Sequence, residues 1–532
     1  MRARRKLCLV MVDSLRTDKL ELAVAEGKAP HFAELLSRGE LIGDCVSAFP
    51  SVTPVCCAEI ATGVTADRHW ISGMNWYHRV EQRYVEYGSS FEATRAFGLF
   101  RATYDVVYNM NMGHLSREVE TVFESLGDAG YRTACTPFLI YRGRTRHELG
   151  LDGLLKKGAA AAGFRHAVYG PEELFYAELF NSRPVPCKPT LARPGTRDEF
   201  SACVGRELAA DPGSYDFLLF SLPDNDYHAH RFGPDAMVAS IFHADRCFGE
   251  LVDAWGGMDR FLDQHAVILM ADHSQTDVSQ AVDLGAELGR EWQVLQPSSD
   301  QPEQAELAVS PTARAANIYV LGGEGQRSGA HARVCERVAA LPATDLIAWL
   351  ERSGGEPCVR EGSGSPLHDD PGARAVVARG GRELRFRPAA GPGAGAAVDP
   401  RGRAWELDGD LEALELERAG ERADSERYPD GLGRLWAALT APHAGDLVVS
   451  LELGWECVDW GGTWHAGGGS HGSLLREDSL VPLVTVGLEP GGASDREQWR
   501  LTDAAALVRA HFGVDEGPRV TTSPSDRAGA LR

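Results

Sequence analysis

Short, nearly continuous apolar runs punctuate the chain, and each ends at a polar or acidic residue. Residues 7–12 are followed by Asp13, residues 217–222 by Pro223-Asp224-Asn225-Asp226, and residues 266–271 by Asp272-His273. Leucine-rich and β-branched runs of this length, with helical periodicity between them, predict strands of a parallel α/β sheet buried on both faces. Such sheets bind ligands at the carboxyl ends of their strands. Asp13, Asp226 and Asp272 are therefore expected on one edge, although 259 residues separate the first from the last.

Between these strands, residues 116–126 read as a helix closed by Gly127 and Gly130, ahead of a short strand at 133–137. Two stretches break the rhythm. Residues 296–312 read as a polar loop, and residues 355–430 are rich in Gly, Pro and acids, with alternating patterns at 383–387 and 404–407 that predict small antiparallel strands. Apolar patterns resume at 446–453 and 480–487, where the chain is expected to return to the core. The expected domains are a first part of a catalytic core at 1–350, an inserted lid or accessory region at 351–435, a second part of the core at 436–515, and a disordered tail at 516–532.

Composition acts mainly by exclusion. With 43% hydrophobic and 24% charged residues over 532 positions, collagen-like, disordered and coiled-coil readings fall away. A formal charge of -22 repels polyanions, so no nucleic-acid polymer is expected as a partner. The longest apolar runs are six residues, against about twenty for a membrane span, so no membrane crossing is expected. The basic opening at 1–6 lacks a cleavage site behind it, which reads as a cytoplasmic protein. Eleven cysteines without metal-type spacing read as reduced thiols, with Cys56 and Cys57 as small core residues.

Four segments carry chemistry: Asp13; Phe49-Pro-Ser-Val-Thr53-Pro54, before a helix-like stretch ending at Thr62-Gly63; Asp226-Tyr-His-Ala-His230 with Gly233-Pro234; and Asp272-His273 with His471 in a Gly-rich loop. Each is ordinary alone. An Asp at a strand end is most often a turn residue, and a Thr-Pro step is most often a helix start. Thr53 reads as the N-cap with Pro54 at the first helical position, a place that favours a bound anion.

In this conjunction and order, across residues 7–488, the sequence resembles the type I phosphodiesterase / nucleotide pyrophosphatase family of the alkaline phosphatase superfamily. The resemblance implies an alkaline-phosphatase-like α/β/α sandwich with a mostly parallel central sheet and a smaller inserted region. It implies two divalent metal ions, zinc by ligand type, about 4 Å apart; manganese or iron suits the same donors. The first metal would take Asp226, His230 and His471, the second Asp13, Asp272, His273 and the Thr53 hydroxyl. Thr53 would attack phosphorus and form a phosphothreonine intermediate. Asn75 stands one residue from the place of the family's asparagine, and His69 matches a structural histidine.

Pro54 departs from the family, since it has no N–H to offer a phosphate. The implied substrate is a small phosphate ester or nucleotide. A phosphonoacetate-hydrolase-like enzyme, a phosphomonoesterase or a non-catalytic metal-binding relative are the alternatives, while a sulfatase lacks its Cys/Ser-x-Pro-x-Arg signature around Thr53. Arg16 and Arg68 are proximity candidates for a monoester clamp. Asp224 and His228 are register alternatives to Asp226 and His230. His465 is a second-sphere or substrate contact or a solvated loop residue. The aromatic stretch Trp70, Trp76, Tyr77, Tyr84, Tyr87, Phe91, Phe97 and Phe100 either packs a core or stacks a base. Oligomeric state is not encoded in any of these patterns.

Overall fold

A computed structural model describes residues 5–150, 166–176, 179–187, 196–299, 301–322, 324–360, 367, 370–390, 396–488 and 496–514. The tail expected at 516–532 lies outside them.

Three of the apolar runs form neighbouring parallel strands. Lys6–Val12 lies between Phe217–Leu222 and His265–Met270, with Val12 opposite Leu222 and Met11 opposite Met270. Every side chain of the two outer strands is buried, which is why these segments carry no polar alternation. Thr133–Cys135 and Glu173–Tyr176 extend the parallel set. Antiparallel pairings complete the eight-stranded sheet at both edges: Phe180–Asn181 on Glu173–Tyr176 at one, and Leu480–Val486 followed by Glu40–Val46 at the other. Helices Thr17–Ala25, Pro30–Arg38, Asp198–Ala209 and Met237–Ala254 pack together, as Thr53–Thr62 does with Val122–Asp128 and Thr502–Phe512, giving the expected α/β/α sandwich.

A second, ten-stranded sheet begins at Leu307–Thr312, inside the segment expected to be a polar loop. The polar residues there occupy only 296–306; the strand LAVSPT is wholly buried. Leu447–Leu451, expected in the first core, pairs instead with Ala315–Val320 and Thr344–Glu351 in this second sheet. A buried run announces a strand but not which sheet takes it. The predicted strands at 383–387 and 404–407 form as Arg382–Pro388 and Ala404–Gly409 and continue the same sheet outward. The region drawn as an insertion therefore shares its sheet with segments on both sides of it.

The helix expected at 116–126 is shorter and later. Thr121 caps Val122–Asp128 through a reciprocal capping box with Glu124, and a π-helical segment occupies Asp105–His114. Cysteines also differ from expectation: Cys187 and Cys203 form a disulfide, while nine other thiols are free. Among the described residues no helix is long and apolar enough to cross a membrane.

Candidate metal centre

The carboxyl ends of the three central strands deliver Asp13, Asp226, Asp272 and His273 to one edge, as their spacing predicts. Asp226 and His230 lie one turn apart on the helix Asp224–Phe232, facing the same way as residues four apart must. His471 arrives by a different route. Thr276–Val282, immediately after His273, pairs with the short strand Gly469–Ser470, placing His471 against the sheet edge. The Gly-rich loop is packed rather than free: a Cβ at Gly468 would overlap the His230 carbonyl, and Gly472 adopts φ +115° against the Thr312 carbonyl. The His471 carbonyl is held at 2.7 Å by the Arg314 N–H, and Arg314 is itself buried against Asp478 at 2.9 Å.

Two ligand groups result. In the first, Asp226 Oδ1 lies 3.4 Å from His230 Nε2 and 3.8 Å from His471 Nε2. In the second, His273 Nε2 lies 3.2 Å from Thr53 Oγ1, 3.4 Å from Asp272 Oδ2 and 3.8 Å from Asp13 Oδ1.

The protons decide whether a cation fits. His230 Nδ1 faces the Gly469 carbonyl at 2.8 Å and His471 Nδ1 the Ser51 carbonyl at 2.7 Å. A carbonyl only accepts, so both Nδ1 atoms carry hydrogen and both Nε2 atoms present lone pairs. Those lone pairs meet at 3.2 Å. Burial pushes both imidazoles toward the neutral form, His471 further under the influence of His273 and His230. Two neutral acceptors beside a carboxylate cannot hydrogen-bond one another; a divalent cation accepts all three donors. His273 repeats the logic, with Nδ1 on the Ser274 carbonyl at 3.2 Å and Nε2 turned to two carboxylates. Burial alone would raise the Asp226 pKa, but its net shift is downward, and the Ser14 hydroxyl that donates to it favours the ionised carboxylate. These donors suit divalent cations.

Thr53 begins the helix Thr53–Thr62, but the N-cap is Val52 and Pro54 is second in the helix. The Thr53 hydroxyl makes no capping bond and instead faces His273. The Val55 and Cys56 N–H groups both bond to the Val52 carbonyl, so they are spent locally.

Asn75 is not brought into this cluster. It is buried at the start of Asn75–His78, its amide donates to the Pro311 carbonyl, and its Oδ1 has no hydrogen-bond partner. His228 packs at a tilt against Phe232 and Asp224 groups with Asp198 and His243, so the helix presents Asp226 and His230, not their neighbours, to His471. Arg16 is committed to Asp18 and the Gln275 carbonyl, and Arg68 lines a cleft of about 1000 Å³ beside Thr62 and Gly63, at the opposite end of the helix from Thr53.

His465 stacks on His230 at 4.0 Å, and Glu456 holds its Nδ1 at 2.7 Å. His69 is buried, with Nδ1 accepting the Ile71 N–H. Cys56 and Cys57 are fully buried and burial pushes both thiols well up, as small core residues require. Trp76, Tyr77, Tyr84, Tyr87 and Phe97 are core side chains, whereas Phe91 and Phe100 are exposed. Sequence patterns gave no signal for Ser14, Gln275 or Arg314. Ser14 and Gln275 both donate to Asp226, and neither belongs to a motif whose spacing announces it.

The chain matches the family described as Type I phosphodiesterase / nucleotide pyrophosphatase over residues 7–344, more than half its length. No curated protein matches it significantly. Among solved structures it resembles murine ectonucleotide pyrophosphatase / phosphodiesterase 5, at 13% identity and TM-score 0.54, with 97% of this chain and 96% of that one covered. The same murine protein as an inactive threonine-to-alanine variant in complex with AMP gives 13% identity and TM-score 0.53, with 97% and 96% covered. Phosphonoacetate hydrolase from Sinorhizobium meliloti 1021, in complex with phosphonoformate, gives 16% identity and TM-score 0.50, with 96% of each chain covered.

Proposed function

The chain belongs to the type I phosphodiesterase / nucleotide pyrophosphatase family, and on that premise we propose that it is a two-metal phosphoric ester hydrolase in which Thr53 is the nucleophile. The observation that carries this reading is the Thr53 hydroxyl, uncommitted to its own helix and 3.2 Å from His273 Nε2 within a ring of carboxylates. Asp226, His230 and His471 would hold one divalent ion, and Asp13, Asp272, His273 and Thr53 the other. Zinc suits these donors, and ions bound there would acidify the hydroxyl and neutralise charge on the phosphoryl oxygens.

Thr53 stands in the first turn of its helix, where the dipole favours the phosphoryl group. Its Oγ1–P bond forms as the P–O bond to the leaving group breaks, and hydrolysis of the resulting phosphothreonine restores the hydroxyl. The murine structural relative whose threonine-to-alanine variant is inactive agrees with this role. Since Arg16 is bonded to Asp18 and the Gln275 carbonyl, and Arg68 lines a cleft at the far end of the helix from Thr53, neither clamps the one extra charge of a monoester, which favours a small diester or nucleotide as substrate.

Turnover of a bis-aryl phosphodiester, its matching monoester and phosphonoacetate by the zinc-loaded protein, beside Thr53→Ala, tests the reading. Diester preference and a loss of roughly 10³-fold or more in the variant are expected. Undiminished diester turnover by Thr53→Ala would overturn the mechanism, and preference for phosphonoacetate would move the substrate class.

A further inference from the structure

We propose that Ser14 is a positioning residue that ties the two ligand groups into one unit. The inference rests on the two-metal reading above. Ser14 follows Asp13 at the end of the first central strand, is fully buried, and has φ +59°, a left-handed conformation uncommon outside glycine. That conformation aims its groups at ligands from two other strand ends. The Ser14 N–H donates to Asp272 Oδ1 at 3.1 Å, and the hydroxyl donates to Asp226 Oδ1 at 2.6 Å. The same oxygen lies 3.1 Å from His273 Nδ1.

The directions follow from the chemistry. An ionised carboxylate only accepts, so the Ser14 proton goes to Asp226, and the hydroxyl lone pairs face the His273 Nδ1–H, which the Ser274 carbonyl shares. A continuous relay runs from His273 through Ser14 to Asp226. One end belongs to the group containing Thr53, the other to the group containing His230 and His471. Metal-ligating histidines usually give their second N–H to an acceptor that fixes the ring and raises its basicity, and loss of such a partner costs about 10–100-fold in metal affinity. Here one hydroxyl serves as that partner for His273 while orienting the carboxylate of the other group. Gln275 Nε2 also donates to Asp226 Oδ1, so the carboxylate is held from two sides.

The test is zinc titration against a competing chelator for wild type, Ser14→Gly and Ser14→Ala, with the melting temperature of each zinc-free protein recorded alongside. Both variants lose the hydroxyl, but glycine accepts the left-handed backbone without strain. Wild type is expected to take up two zinc ions, and both variants to bind each ion about 10–100-fold more weakly. Wild-type affinity in Ser14→Gly with weakened affinity in Ser14→Ala would show that backbone strain alone matters and overturn the proposal. Weakening of only one ion in both variants would overturn the linking role, as would unchanged binding in both. Failure of the wild type itself to bind two zinc ions would instead fail the two-metal reading on which the proposal stands.

Discussion

Arg500 grips Glu59 from across the fold, one of its amino groups donating to both oxygens, at 2.9 and 3.1 Å, of a carboxylate buried on the helix that carries Thr53. Its other amino group holds Asp430 at 2.8 Å. All three residues are nearly inaccessible. Burial pushes the Glu59 pKa up even with Arg500 beside it, so the guanidinium is what keeps this interior charge tolerable. Arg500→Met leaves the buried Glu59 carboxylate without its guanidinium and Asp430 with Arg403 alone, and is expected to cost about 3–5 kcal/mol. Urea unfolding measures it. Arg500→Lys is expected to recover only part, because an ammonium cannot reproduce the fork. A loss below about 1 kcal/mol in Arg500→Met would show that Glu59 folds neutral and unassisted.

Loading the ligand groups separately distinguishes the register of the Asp224–Phe232 helix. His230→Ala removes a donor facing His471, whereas His228→Ala removes a ring packed against Phe232. Zinc content is expected to fall from two to one in His230→Ala and to stay at two in His228→Ala, measured by elemental analysis after gel filtration. A ligand held at 1,000 times its dissociation constant stabilises by about 4 kcal/mol, so chelation should also lower the melting temperature of wild type more than that of His230→Ala. Equal zinc content in the two variants would refute the assignment.

What the sequence made legible was the part of the site where a single short segment supplies both strand and ligand. Asp13, Asp226, Asp272 and His273 each sit within a few residues of a run buried on both faces, and the parallel sheet then leaves them one common edge. His471 was legible only through its family context, because its position depends on pairing between Thr276 and Ser470, 194 residues apart. Ser14 was silent for a different reason: its role depends on a backbone angle and on partners from two distant strands. Asn75 shows the converse. It stands one residue from the place of the family's asparagine, but its amide donates to the Pro311 carbonyl. The second sheet escaped because a buried strand reads alike in either sheet.

The Cys187–Cys203 bridge was equally invisible, since eleven scattered cysteines offer no framework and only the approach of Cys187 to the helix Asp198–Ala209 pairs these two. Alkylation of the unfolded, unreduced protein is expected to label nine thiols and leave two. Peptide mapping should recover the linked pair. A loop of this size adds about 3 kcal/mol in the chain-entropy account, so reduction should lower the urea midpoint while leaving zinc content unchanged. Eleven labelled thiols would return the chain to the fully reduced state its cysteine spacing suggests.

Glu86 sets a pH dependence remote from the metal ligands. It pairs in register with Asn75 in the hairpin Asn75–His78 / Arg83–Glu86 and is 1% exposed. Its Oε1 accepts from the Gly88 N–H and the Ser89 hydroxyl, both at 2.8 Å, while Oε2 has no hydrogen-bond partner. Burial raises its pKa from 4.5 to about 7; the bonds from Ser89 and Gly88 oppose the rise and the charge of Asp459 adds to it. The folded chain therefore holds this proton between pH 4.5 and about 7 while the unfolded chain has released it. Stability from this group is full below the unfolded value, declines as pH rises through that window, and is flat above it. Integrated, the decline is about 3 kcal/mol. Glu86→Gln keeps an acceptor for Gly88 and Ser89 but cannot ionise, so the stability of wild type relative to the variant should fall by that amount between pH 4.5 and 8 in paired urea unfolding curves. A difference constant with pH would mean that the carboxyl titrates in the fold as it does in water.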